Sequence, residues 1–189
     1  TSLAQCQDDI ESALWGSLIH RIIYEFTSQP HYSVTWVSQD FPRAKEAFFE
    51  VARSVMDPVT TDDFYWTVKS QILFGTEDKM GLLESILHYD LAHPLPLKPL
   101  HFEWPFEGVS LSDQEPLTVS GKLDLVMGSD AYTMVVDYKT GKSFPTSADY
   151  KLLRTLQLPL YEWVLSKQFP EKECIGSLIY QVKDAEQVG

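Results

Sequence analysis

The sequence predicts a mixed α/β fold that begins with a helical part. Three observations carry this. Apolar residues recur at helical spacing through most of residues 1–92, a proline-rich connector follows, and beyond it the pattern changes to short β-type runs bounded by turn residues. Helices first, then a β hairpin, then a helix and a strand, is the order of an α/β domain.

Residues 8–27 read as a helix because Ile10, Ala13, Leu14, Leu18 and Ile22 recur at helical spacing. Trp15, Ile19, Ile23 and Tyr24 make most of its other face apolar, which predicts burial. Thr27 to Pro42 is polar and irregular. A second helix is expected over 43–56, with Ala44, Ala47, Phe48, Val51 and Val55 on one stripe and Asp57-Pro58 as its stop. Further helices are expected over 61–74 and 78–92, separated by Gly75. Pro94, Pro96 and Pro99 make 93–99 a stiff connector. Strands are expected over 100–106, weakened by Pro105, and over 117–127 and 131–139. Gly128-Ser129-Asp130 joins the last two as an antiparallel hairpin. Residues 148–168 read as a helix, or as two helical pieces around Pro159, and 175–182 as a final strand.

A chain of 189 residues with 44% hydrophobic and 13% aromatic residues can bury one sizeable core. One domain is therefore expected, with a mainly helical part at 1–92 and a hairpin, helix and strand core at 100–189. The start at Thr1 suggests a fragment of a longer protein. No apolar run reaches the roughly 20 residues of a membrane span, and the polar, acidic N-terminus is unlike a signal peptide. Cys6 and Cys174 are too few for a four-thiolate site; two free thiols in a reducing compartment are favoured over one disulfide. A net charge of −12 argues against broad electrostatic binding of nucleic acid by this chain alone. Metal ions, or a basic channel in a larger parent protein, would offset it.

The chemistry concentrates in two segments. In Val135-Val136-Asp137-Tyr138-Lys139-Thr140-Gly141-Lys142, strand alternation puts Asp137 and Lys139 on one face and turns Tyr138 away. A structural salt bridge would satisfy that pair. In Gly121-Lys122-Leu123-Asp124-Leu125, a carboxylate lies within an apolar strand, one hairpin away from Asp137. Two acids placed side by side repel unless a cation sits between them, and oxygen ligands suit magnesium or manganese. A nearby lysine can then orient or deprotonate an attacking water, or steady the transition state.

Gly121-Lys122-Leu123-Asp124, followed by Asp137-Tyr138-Lys139-Thr140-Gly141-Lys142, resembles the PD-(D/E)XK nucleases, and within them the RecB-type exonuclease domains. Gly16-Ser17-Leu18-Ile19-His20 fits that family's Gly-x-x-x-His, Gln157-Leu158-Pro159-Leu160-Tyr161 its Gln-x-x-x-Tyr, and Glu103 the glutamate on the strand before the hairpin. The resemblance implies a restriction-endonuclease-like core, a central mixed β-sheet flanked by helices, in one nuclease domain. It implies that Asp124, Asp137 and Lys139 are catalytic. Asp124, Asp137, the Tyr138 backbone carbonyl, His20 and Glu103 would hold Mg²⁺ or Mn²⁺. Gln157 and Tyr161 would position the nucleic-acid strand, and Thr140 and Lys142 would contact phosphate. The implied substrate is DNA, often cut from an end. The implied partner is a helicase or other recombination or repair subunit, in the cytoplasm of a bacterial or phage-like system, with no membrane involved.

The sequence departs from its relatives at Leu125, where many carry a basic residue; Lys122, on the same strand face as Asp124, could replace some of that charge. Cys6 and Cys174 do not reproduce the four cysteines of the iron–sulfur branch, so no cluster is expected. Read from residues alone, His20 also fits a core histidine, Gln157 and Tyr161 an amphipathic helix face, and Glu103 a solvent-facing strand position. A second reading therefore stands beside the nuclease: a catalytically silent, nucleic-acid-binding or scaffolding module, supported by the −12 charge and Leu125.

Overall fold

Apolar periodicity becomes helix throughout the N-terminal part of the computed structural model, which describes residues 3–60, 64–94, 97–111, 117–140 and 155–182. Helix α1 spans Leu3–Thr27 and buries Trp15, Leu18, Ile19, Ile22, Ile23 and Phe26. Helix α2, Val34–Gln39, occupies a segment expected to be irregular. Its six residues are too few to show a helical period, and its signal is local: Ser33 caps it by accepting from the Trp36 amide at 3.0 Å. Asp40 closes α2 and caps α3, Phe41–Met56, with Pro42 in the first turn, where no backbone donor is lost. Phe48 of α3 stacks on Phe26 with 4.1 Å between ring centroids.

Helix α4, Phe64–Phe74, runs into a small hairpin of β1, Gly75–Thr76, and β2, Lys79–Met80, before α5, Leu82–Ala92. The helix expected from residue 78 thus starts later. The chain reverses between Gly75, at φ +86°, and Gly81, where a Cβ would lie 2.3 Å from the Phe74 backbone.

The chain divides into two compact units, one holding the residues up to Pro94 and also Val182, and one from Leu95 to Gln181. In the second, β3 (Lys98–Ser110), β4 (Thr118–Gly128), β5 (Tyr132–Lys139) and β6 (Glu173–Gln181) form one sheet in the order β3-β4-β5-β6. The first two junctions are antiparallel and β5–β6 is parallel, so the sheet is mixed, as expected. Helix α6, Gln157–Gln168, lies in the crossover that a parallel junction needs. Pro159 falls in its first turn, which lets the helix begin immediately after Leu156 without a kink. The part of the expected helix at 148–154 lies outside the described residues. Pro105 is accommodated because β3 is an edge strand, and β3 runs well past the expected 100–106.

Side chains pack on both sheet faces. On the α6 face, Leu123, Val126, Val135, Phe106 and Val109 meet Val164 and Leu165, with Trp104 beside them. On the far face, Leu125, Met127 and Val136 pack with Phe102, Met134, Tyr138 and Leu178. Residues two apart on a regular strand share a face. Leu123 and Leu125 do not, and neither do Phe102 and Trp104. The alternation therefore switches at Glu103 and Asp124, which fall opposite one another in the β3–β4 register set by Phe102–Leu125 and Trp104–Leu123.

Gly121 lets Phe106 close over β4: a Cβ there would lie 2.9 Å from the ring, and Phe106 is 5% exposed. Gly121→Ala should destabilise the domain by about 1–3 kcal/mol through overpacking, read as a lower urea midpoint. Adding Phe106→Leu should recover part of the loss. Additive losses in the double variant would show that the two sites do not touch.

Candidate active site

β4 and β5 pair residue for residue from Gly128–Thr133 to Leu125–Val136, and the ladder ends there. Continuing its register would set Asp124 opposite Asp137. Instead, the Tyr138 amide donates to Asp124 Oδ2 at 2.9 Å. The carboxylate accepts a backbone donor just beyond the last ladder pair, in a charge-assisted bond stronger than an ordinary amide–carbonyl one.

Asp137 is 3% exposed, so its charge must be met from within the protein. Lys139, two residues along the same strand, places Nζ 2.8 Å from Asp137 Oδ2. Gln157, the first residue of α6, donates from Nε2 to Asp137 Oδ1 at 2.9 Å. The same amide lies 3.0 Å from the Tyr161 hydroxyl, one helical turn on. Burial raises the Tyr161 pKa, the Gln157 hydrogen bond lowers it, and the negative charges of Asp137 and Asp124 raise it further. The phenol therefore keeps its proton at neutral pH and can act as a donor.

Glu103 enters from β3. A carboxylate oxygen of Glu103 lies within 4.8 Å of one from Asp124. Its backbone is in the left-handed region at φ +45°, which costs an L-residue about 1–2 kcal/mol. The strain coincides with the switch of sheet faces. Lys122, diagonal to Glu103 across the β3–β4 ladder, forms an ion pair with Glu103 Oε2.

Of the expected site residues, the second unit thus brings Glu103 close to Asp124, and Asp137 together with Lys139, Gln157 and Tyr161. Tyr138 packs on the far face, as alternation requires. Thr140 follows β5 and is half-buried; Lys142 lies outside the described residues. His20 is half-buried on α1 in the helical unit. Two contacts were not anticipated. Lys122 was expected to add charge beside Asp124, and its partner is Glu103. Gln157 was expected to position a substrate strand, and it also fixes the orientation of Asp137.

The donor set fits a hard divalent cation. Glu103 and Asp124 supply oxygens at close range, with Asp137 on the adjacent strand, and oxygen ligands are what magnesium and manganese take. The Asp124–Tyr138 bond also makes a structural demand. Asp124→Asn keeps an acceptor oxygen and should hold most of the stability. Asp124→Ala should cost about 1–3 kcal/mol more and speed hydrogen exchange of the Tyr138 amide. Equal stability and equal exchange in the two variants would show that the bond does not hold the strand end.

Comparison with curated proteins gives no match. Among the described residues, no helix is long and apolar enough to cross a membrane. A family model, that of the PD-(D/E)XK nuclease superfamily, matches residues 3–189, essentially the whole chain. With its paired carboxylates, its lysine two residues after Asp137 and its mixed sheet, the chain belongs to the PD-(D/E)XK nuclease superfamily.

Proposed function

We propose that this chain is a Mg²⁺- or Mn²⁺-dependent deoxyribonuclease of RecB-like type, hydrolysing phosphodiester bonds as an exonuclease. The observation that carries the reading is the set of acids at the end of the β4–β5 ladder. A salt bridge would account for Asp137 and Lys139 alone. It leaves unexplained why a strained Glu103 is held against Asp124, where like charges repel.

Asp124, Asp137, Glu103 and the Tyr138 carbonyl are the proposed ligands. The ion they hold would supply Lewis acidity and lower the pKa of water. Lys139 is proposed to orient the attacking water or steady charge on the phosphate. Gln157 donates to Asp137 Oδ1 and is proposed to keep that carboxylate in place for the ion. Tyr161, protonated at neutral pH, is proposed to hydrogen-bond the DNA strand, with Thr140 and Lys142 contacting phosphate. A helicase or other recombination or repair subunit is the proposed partner that delivers DNA. The net charge of −12 supports this, because the chain alone attracts a polyanion poorly. A reducing, cytoplasmic setting is proposed with it, supported by the free Cys174 thiol.

A silent module is the second reading. It is favoured by the fact that Lys122 and Lys139 already offset Glu103 and Asp137 without any ion. Calorimetry with MnCl₂ separates the two readings: a working site binds manganese, and Asp124→Asn removes the binding. Absence of binding in the unaltered protein favours the silent module.

Cleavage of end-labelled single- and double-stranded DNA tests the activity directly. Lys139→Ala and Asp137→Asn should each lower the magnesium-dependent rate by about 10²–10⁴-fold while circular dichroism stays native. The asparagine is chosen over alanine because it keeps the shape beside a half-buried lysine. Full cleavage by Asp137→Asn would sink the assignment.

A further inference from the structure

We infer that Lys122 is a built-in competitor for the divalent ion, occupying Glu103 when the site is empty and setting the affinity with which the ion binds. This rests on the reading that Glu103 and Asp124 hold that ion.

The two lysines of the site are placed differently. Lys139 is 27% exposed and pairs with an Asp137 side chain that is 4% exposed. It leaves the same strand two residues away, and Gln157 holds the carboxylate from the other side. Lys122 is 55% exposed and reaches Glu103 diagonally from the neighbouring strand. Its long side chain extends into solvent, where an ammonium can be rehydrated when it leaves.

Charge decides what happens next. Glu103 and Asp124 together carry two negative charges, and Lys122 offsets one of them. A divalent ion offsets both. Once it is bound, the neutralised carboxylates no longer attract the Lys122 ammonium and the ion itself repels it, so the ion pair is weakened. Ion binding and the Lys122–Glu103 pair therefore oppose one another, and the strength of that pair subtracts from the apparent affinity.

The sign of this effect separates competition from ordinary support. If Lys122 only held Glu103 in place, its removal would weaken ion binding. If it competes, removal strengthens binding. Manganese titration by calorimetry should therefore show Lys122→Gln binding about two- to fivefold tighter than the unaltered protein, the range expected for a half-exposed ion pair. The gain should shrink as salt is raised, because the competing pair is screened. Lys122→Arg should retain the unaltered affinity. In a Glu103→Gln background, which removes the contested carboxylate, Lys122→Gln should make no further difference. Equal or weaker binding by Lys122→Gln, in a protein whose unaltered form binds manganese, overturns this inference and leaves the metal site standing. No manganese binding by the unaltered protein overturns both.

Discussion

The Tyr138 amide is bonded to the Asp124 carboxylate beyond the end of the β4–β5 ladder, and the shape of the sheet end depends on that bond. Two acids at consecutive facing positions would repel if both pointed into one space. Giving Asp124 a backbone donor and Asp137 a lysine and an amide resolves the conflict by separating their partners. Asp124 is held by a donor on the facing strand, and Asp137 by its own strand and the first turn of α6. Glu103 reaches the same end of the sheet from the edge strand β3.

Much of this was legible in the chain, and the reason is periodicity. Helices α1 and α3 carry long apolar stripes, and strands β4 and β5 carry apolar runs on either side of a turn of small residues. Alternation also sufficed to put Asp137 and Lys139 on one face and Tyr138 on the other. Helix α2 and the β1–β2 hairpin escaped because six residues and two residues contain no measurable period; a serine cap and a pair of glycines are their only marks. Strand β3 extends through Pro105 because an edge strand has no partner on one side to demand the missing donor.

The Lys122–Glu103 pair was hidden for a different reason. Sequence spacing assigns faces on the assumption that alternation never breaks. At Glu103 and Asp124 it breaks on both strands at once. Gln157 was hidden because a spacing of four residues reveals which side chains share a helix face, not which carboxylate the face meets. Its contact is set by where α6 begins, and that start is marked by Pro159 in the first turn. The acidic balance of the whole chain also takes on a local meaning here: the site consumes two of its own cations internally, leaving them unavailable to a polyanion until something draws them off.

The switch of faces at Glu103 and Asp124 has an architectural consequence. It divides the β3–β4 ribbon into two segments whose inward-facing residues are set independently, one toward the sheet centre and one toward the tip. In the segment beyond Trp104 and Leu123, Phe106 and Val109 keep the α6 face, so a change of length past Val109 in steps of two residues leaves that facing unchanged. Glu103 and Asp124 thus sit at a joint between two halves of one ribbon, each with its own pattern of faces.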